Sequence, residues 1–231
     1  MVPLVTTLVL IRHGETAWNR EKRLQGQIDI ALSDVGERQA RSLAERFDVK
    51  ANADANAQAA LIVDVVLSSD LSRAMQTAAP VAEALGLPII PEPGLRERHY
   101  GVFQGTTRDQ IALQWPHDHA RWMAHDPDFT PEGGESMRQL SARVVRTLAS
   151  IGRAYAGKTV VCVTHGGVLD CAYRFAVPLP LEAPRQHTLL NASVNTIQWY
   201  SDETGHDAHG TARLIAWGDV AHLTATKDDS I

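Results

Sequence analysis

The sequence predicts an α/β fold of three layers, with a mostly parallel central sheet flanked by helices and an antiparallel strand at its edge. Three observations carry that expectation. Short continuous apolar runs at 7–11, 62–68 and 159–164 have the pattern of strands covered on both faces. Stretches of helical periodicity lie between and after them. Near the C-terminus, runs at 194–200 and 212–217 flank a polar loop with Gly205 and Gly210, which reads as an antiparallel hairpin.

Each element follows from local signals. Thr7 to Ile11 is the first buried strand, and Gly14 to Asn19 then forms a loop or helical turn. Asp34, with Glu37 three residues on, opens a helix that runs to about Phe47. Residues 51–60 alternate alanine with small polar residues and have nothing to bury, so a helix extension or mobile loop is expected there and a site is not. Ile62 to Ser68 is the second strand. Helix 70–85 follows it, stopped by Gly86 and Pro88, and Pro88 to Pro91 is a short extended piece. Arg108 to Ala124 and Glu135 to Ala154 read as helices separated by a turn-rich stretch from Asp126 to Gly134. Thr159 to Thr164 is the third strand, with a helix at 168–176 behind it. No internal repeat or linker divides the chain, so residues 1–231 are expected to form one domain.

Composition narrows the class. With 44% apolar and 21% charged residues the chain is an ordinary globular protein, not a disordered or fibrous one. A net charge of -5 gives no electrostatic case for nucleic acid or an anionic membrane as partner. No segment reaches the apolar length of a membrane span, and the apolar start from Met1 to Ile11 lacks the basic flank of a signal peptide. Cys162 and Cys171 cannot build a disulfide framework, so a reducing, cytoplasmic setting is expected.

The chemistry gathers at strand ends. The first apolar run ends in Arg12-His13-Gly14-Glu15, the second in Ser68-Ser69-Asp70-Leu71-Ser72-Arg73, the third in Thr164-His165-Gly166-Gly167. Ligands of open α/β sheets bind outside the carboxyl ends of the strands, so these clusters are expected to share one pocket. Two arginines and two histidines suit a dianion. Gly14 and Gly166 admit close backbone approach, and helix N-termini add N–H donors. Phosphate is the natural guest, although no G-x-x-x-x-G-K-[ST], G-x-G-x-x-G or C-x5-R motif is present. A neutral imidazole can attack phosphorus, giving a phosphohistidine, while arginines and the second histidine, protonated, hold the equatorial oxygens. Glu97, in Leu95-Arg96-Glu97-Arg98-His99-Tyr100-Gly101, is the candidate acid, since a neighbouring phosphate dianion favours a protonated carboxyl. Glu15, Asp70 and Glu135 stay open as alternatives. His117, His119 and His125 have spacing conceivable for a metal, but an exposed polar helix face is the simpler reading, and no metal site is expected.

The motifs resemble those of the histidine phosphatase superfamily, the phosphoglycerate-mutase-like proteins. The matching stretches are Leu10 to Asn19, Leu24-Gln25-Gly26, Leu32 to Gly36, Ser68 to Ala74, Leu95 to Gly101, Gly133 to Ser136, Thr164 to Gly167 and Asn191-Ala192-Ser193, in family order. The resemblance implies His13 as the phosphorylated nucleophile, Arg12, Arg73 and His165 as the phosphate pocket, and Glu97 as proton donor. It further implies Asn19, Gln25 and Gly26 lining the site, Tyr100 and Gly166 on the substrate side, and no metal or other cofactor. The implied partner is a small phosphorylated metabolite, and a homo-oligomer stays open. Arg108 falls near a substrate-binding lysine of the mutases. Two departures favour a phosphatase: only 31 residues separate Gly101 from Gly133, with Arg121 alone where the mutases have paired arginines, and Gly167 stands where they have asparagine. The alternatives are a cofactor-dependent phosphoglycerate mutase and a non-catalytic module that binds phosphorylated ligands. Trp115 and Trp122 are expected to pack at the core or rim, and to shape the opening.

Overall fold

The computed structural model describes residues 5–47, 62–201 and 209–223. In chain order the first half gives β1 (Val5–Arg12), α1 (Ala17–Arg20), α2 (Asp34–Phe47), β2 (Val65–Ser68), α3 (Ser72–Leu85) and β3 (Ile89–Pro91). The second half gives α4 (Arg108–Gln114), α5 (Pro116–Met123), α6 (Met137–Ala154), β4 (Thr159–Thr164), α7 (Gly166–Ala176), β5 (Val194–Tyr200) and β6 (Thr211–Asp219). The alanine-rich segment 51–60 lies outside the described residues.

The six strands form one sheet in the order β3-β2-β4-β1-β5-β6. β3, β2, β4 and β1 are parallel neighbours, and β5 runs antiparallel to both β1 and β6. The unbroken apolar runs are explained by two covered faces. Leu8, Leu10, Val160 and Cys162 pack into the core formed with α6 and α7, while Val9, Ile11, Val161 and Val163 pack into the core formed with α2 and α3. Leu8 to Ile11 are wholly buried. At about 1.5–3 kcal/mol for each such side chain, β1 is the post around which the layers assemble. A smaller cluster of Phe103, Ile111 and Phe129, with Trp115 and Trp122 against it, roofs the C-terminal edge.

Several boundaries differ from the sequence expectation. β2 starts at Val65 because Asp64 turns to Thr159: its carboxylate accepts the Thr159 N–H at 2.8 Å, and Ile62 stays exposed. α2 is capped by Ser33, whose hydroxyl accepts the Gly36 N–H, and Asp34 is already its first helical residue. α3 starts at Ser72, where the carboxylate of distant Asp29 accepts both the backbone N–H at 2.8 Å and the hydroxyl at 2.7 Å. The helix expected over 108–124 is two helices, because Pro116 has no N–H to donate and pushes Trp115 out of helical geometry. α6 begins after Ser136, which forms a capping box with Gln139. α7 begins at Gly166, so its first turn follows His165 directly. No helix among the described residues is long and apolar enough to cross a membrane.

Candidate active site

β1 and β4 carry the two histidines to one place because they are adjacent and in register. The His13 N–H donates to the Thr164 carbonyl at 2.9 Å. The His13 carbonyl accepts from Asn191 Nδ2 at 3.0 Å and from the Ala192 N–H at 3.3 Å. The two rings lie 5.1 Å apart at 56°.

Their surroundings set their protonation. His13 Nδ1 lies 2.7 Å from the Gly14 carbonyl, which only an N–H can satisfy, so Nδ1 carries the proton and Nε2 keeps its lone pair. Burial, then the charges of Arg73 and Arg12, hold the His13 pKa well below the usual histidine value. His165 is lowered in the same way, by burial and then by Arg73. Both rings are therefore neutral in the free site, and the positive form expected for His165 would have to be drawn out by a bound anion. His165 Nε2 pairs with Ser69 Oγ at 2.8 Å, and its Nδ1 has no hydrogen-bond partner.

Arg73 projects from the first turn of α3 and is completely buried. Its Nη1 and Nη2 donate to the carbonyls of Ile28 at 2.9 Å and Gly26 at 2.7 Å. Arg12 Nη1 donates to the Leu189 carbonyl. The Nε atoms of both arginines are buried without a hydrogen-bond partner, and among the described residues neither arginine joins an ion pair. Burial lowers both pKa values, that of Arg73 to about 10, while the charge of Glu97 works against the fall. Guanidiniums desolvated without a paired carboxylate are costly unless an anion joins them.

Glu97 reaches the same place from the loop after β3. Its Oε1 accepts from the Arg98 N–H at 2.8 Å and from the Gly167 N–H at 3.1 Å, and Oε2 shares the Gly167 donor at 3.1 Å. The carboxyl occupies the space a side chain at 167 would take, since a Cβ at Gly167 would stand 2.2 Å from Oε1. The carboxyl is thus held at the N-terminus of α7, with Oε2 the less committed oxygen.

Arg12, His13, Asn19, Gln25, Gly26, Arg73, Glu97, Tyr100 and Gly166 all line one cavity of about 460 Å³. His165 does not line it and touches the site through His13. Asn19 spends its Oδ1 on the Thr16 N–H at 2.9 Å, closing the capping box of α1. Gln25 Oε1 is buried without a partner. Gly26 adopts φ 55°, and a Cβ there would meet Gln104 Oε1 at 2.1 Å. Burial and Glu97 push the Tyr100 phenol up, so it stays protonated. The alternative acids are committed elsewhere: Glu15 to Ser33 and Arg20, Asp70 to Arg96, Glu135 to Arg143. Of the roof residues, Trp122 and Arg108 line the cavity, whereas Trp115 packs on Phe103. His125 also lines the cavity, and no cluster able to hold a metal occurs among the described residues. Sequence reasoning missed Asp170, Arg174 and Arg185 on the same wall. The only local signal was the Asp170/Arg174 spacing, which suits an i,i+4 ion pair on a helix.

Known proteins match this arrangement over most of its length. The histidine phosphatase superfamily (branch 1) matches residues 8–210. The metal-independent phosphoserine phosphatase of Arabidopsis thaliana is 37% identical over 223 residues, covering 96% of this chain and 84% of the relative. Phosphoglycerate mutase-like protein 4 of the same plant is 34% identical over 221 residues, covering 95% and 87%. The structure of a mycobacterial glucosyl-3-phosphoglycerate phosphatase is 31% identical, superposes with a TM-score of 0.76, and covers 93% of this chain and 99% of that one. On these grounds the chain belongs to the histidine phosphatase superfamily, and its activity is phosphoryl transfer of the phosphatase or mutase kind.

Proposed function

We propose that this enzyme hydrolyses small phosphate monoesters through a phosphohistidine at His13. The observation that carries the reading is the pairing of a neutral His13, its Nε2 lone pair free, with two buried guanidiniums whose Nε donors have no partner. Nε2 attacks phosphorus, the P–N bond forms and the ester P–O bond breaks. The departing oxygen takes the proton from Glu97 Oε2. Arg12 and Arg73 hold the phosphoryl oxygens, and the anion they share draws His165 toward its protonated form. Water then attacks the phosphohistidine and gives its proton to the Glu97 carboxylate, and inorganic phosphate leaves.

Hydrolysis is favoured over mutase transfer. A mutase must keep water off the phosphohistidine while an intermediate with two phosphates reorients. Arg121 sits in the segment where paired arginines would serve that end, and it is spent on Asp126 at 2.6 Å. Gly167 offers no side chain beside the phosphate. Glu97, however, is held by both oxygens, so it acts on water from that position and does not swing to it. Two buried free thiols, Cys162 and Cys171, accord with a cytoplasmic location.

The test is a panel of phosphate esters run beside a 3-phosphoglycerate isomerisation assay, with acid-quenched labelled enzyme. Acid-labile phosphoenzyme on wild type and none on His13→Ala is expected, with activity intact in chelator because the arginines supply the positive charge. Mutase turnover with little phosphate released would reverse the reading.

A further inference from the structure

The cavity wall carries more cations than one phosphate needs. Besides Arg12 and Arg73 it holds five arginines. Three are committed: Arg23 to Glu21 and the Gly105 carbonyl, Arg98 to the carbonyls of Glu135 and Phe129, and Arg174 to Asp170 and the carbonyls of Pro180 and Ala183. Arg108 lies over the Trp122 ring at 5.4 Å, at the position the family resemblance already marks. Arg185, in the connection between α7 and β5, remains.

Arg185 is half exposed, and its Nε lies 3.5 Å from Oδ1 of Asp170, a carboxylate only 7% exposed. Asp170 is held through Oδ2 by the hydrogen bond from Arg174 Nε at 2.9 Å, while His187 Nε2 lies 3.1 Å from its Oδ1 without hydrogen-bond geometry. One carboxylate therefore serves two guanidiniums, and a net positive charge is left on the wall. No hydrogen bond engages the Arg185 fork among the described residues. Its charge also reaches the deep end of the cavity: after burial and the opposing charge of Glu97, Arg185 is the next influence on the Arg12 pKa, and it lowers it. With its Nε side drawn toward the buried Asp170 carboxylate by charge alone, the guanidinium keeps its two Nη atoms as a planar fork, which matches a planar carboxylate.

We propose that Arg185, positioned by Asp170, is a specificity-determining residue that binds a carboxylate on the leaving group, so that carboxylate-bearing phosphate monoesters are the preferred substrates. The proposal rests on the phosphatase reading above, and its test separates the two. 3-Phospho-D-glycerate and the glycerol phosphate of the same C2 configuration, sn-glycerol 1-phosphate, differ only in having a carboxylate or a hydroxymethyl group. The ratio of their kcat/KM values is measured for wild type, Arg185→Gln and Arg185→Lys, and their binding is measured by calorimetry on the same proteins. Loss of a charge-assisted hydrogen bond should lower the ratio about 10- to 100-fold in Arg185→Gln, mainly through KM. Arg185→Lys should recover part of it, and the calorimetric affinities should shift in parallel. Because the side chain is half exposed, both variants should fold. A ratio and affinities unmoved by Arg185→Gln overturn the subsite even if both esters are hydrolysed. Phosphate release from neither ester overturns the phosphatase reading, and in that case the calorimetric selectivity alone decides for or against Arg185.

Discussion

At the scale of single residues, the site depends on where protons sit. His13 keeps its one proton on the Gly14 side, and in the proposed mechanism Glu97 offers Oε2 to the leaving group. In Glu97→Gln the chemistry should divide by leaving group. The first-turnover burst with 4-nitrophenyl phosphate should fall less than 10-fold, while alkyl esters lose about 10²- to 10⁴-fold, the range of a general acid. Equal losses on both, in rapid-quench measurements, would deny Glu97 that role. Most of these residues were legible in the sequence because each sits where a buried strand stops, beside a glycine or serine. Arg185 was not: it lies in an irregular stretch with Pro178, Pro180 and Pro184, where no periodicity shows which side faces the cavity. Its partner Asp170 reads in isolation as one more helix residue.

Among the elements, α7 has the most direct part in the chemistry. Its first turn receives Glu97, and a side chain at position 167 would shift the carboxyl from where it now sits. Gly167→Ala should therefore keep the fold, since alanine favours a helix over glycine, yet push Glu97 out of place. Turnover of alkyl esters should drop about 100-fold, as a displacement near 1 Å can cost, with the urea midpoint little changed. Unchanged turnover would mean that Glu97 tolerates the shift. Long periodic elements were readable in advance. The failures were at their ends, where a distant group decided the boundary. Asp29 caps α3 across a sequence gap of 43 residues, and Asp64 ends the pairing of β2 by capturing Thr159. The split at Pro116 was missed although proline favours a helix start, because the apolar repeat around it suggested one continuous helix.

For the whole molecule, the two buried neutral histidines tie stability to pH. Their folded pKa values lie below the unfolded value near 6.5, so below that pH the unfolded chain binds more protons than the folded one. Stability is full above pH 6.5 and falls as the pH drops, by at most about 1.4 kcal/mol per pH unit for each histidine. His13→Gln should therefore lose less stability than wild type between pH 7 and pH 5 in urea titrations. Parallel curves would show that His13 protonates in the folded state without cost. The layered architecture was visible from the sequence, whereas the strand order was not, because the apolar runs are too alike to reveal their neighbours.

That strand order also bears on how the protein is made. β1 is synthesised before the other described strands, yet its neighbours in the sheet begin at Thr159 and Val194. The carbonyl of His13 waits for Asn191. From the synthesis of β1 until that of β4 its four buried apolar side chains have no neighbouring strand to pair with, which leaves apolar surface open to aggregation and slows folding through long-range contacts. A chain stopped at residue 190 contains Arg12, His13, Arg73, Glu97 and His165, but it should emerge insoluble and release no phosphate, because catalytic competence is assembled last.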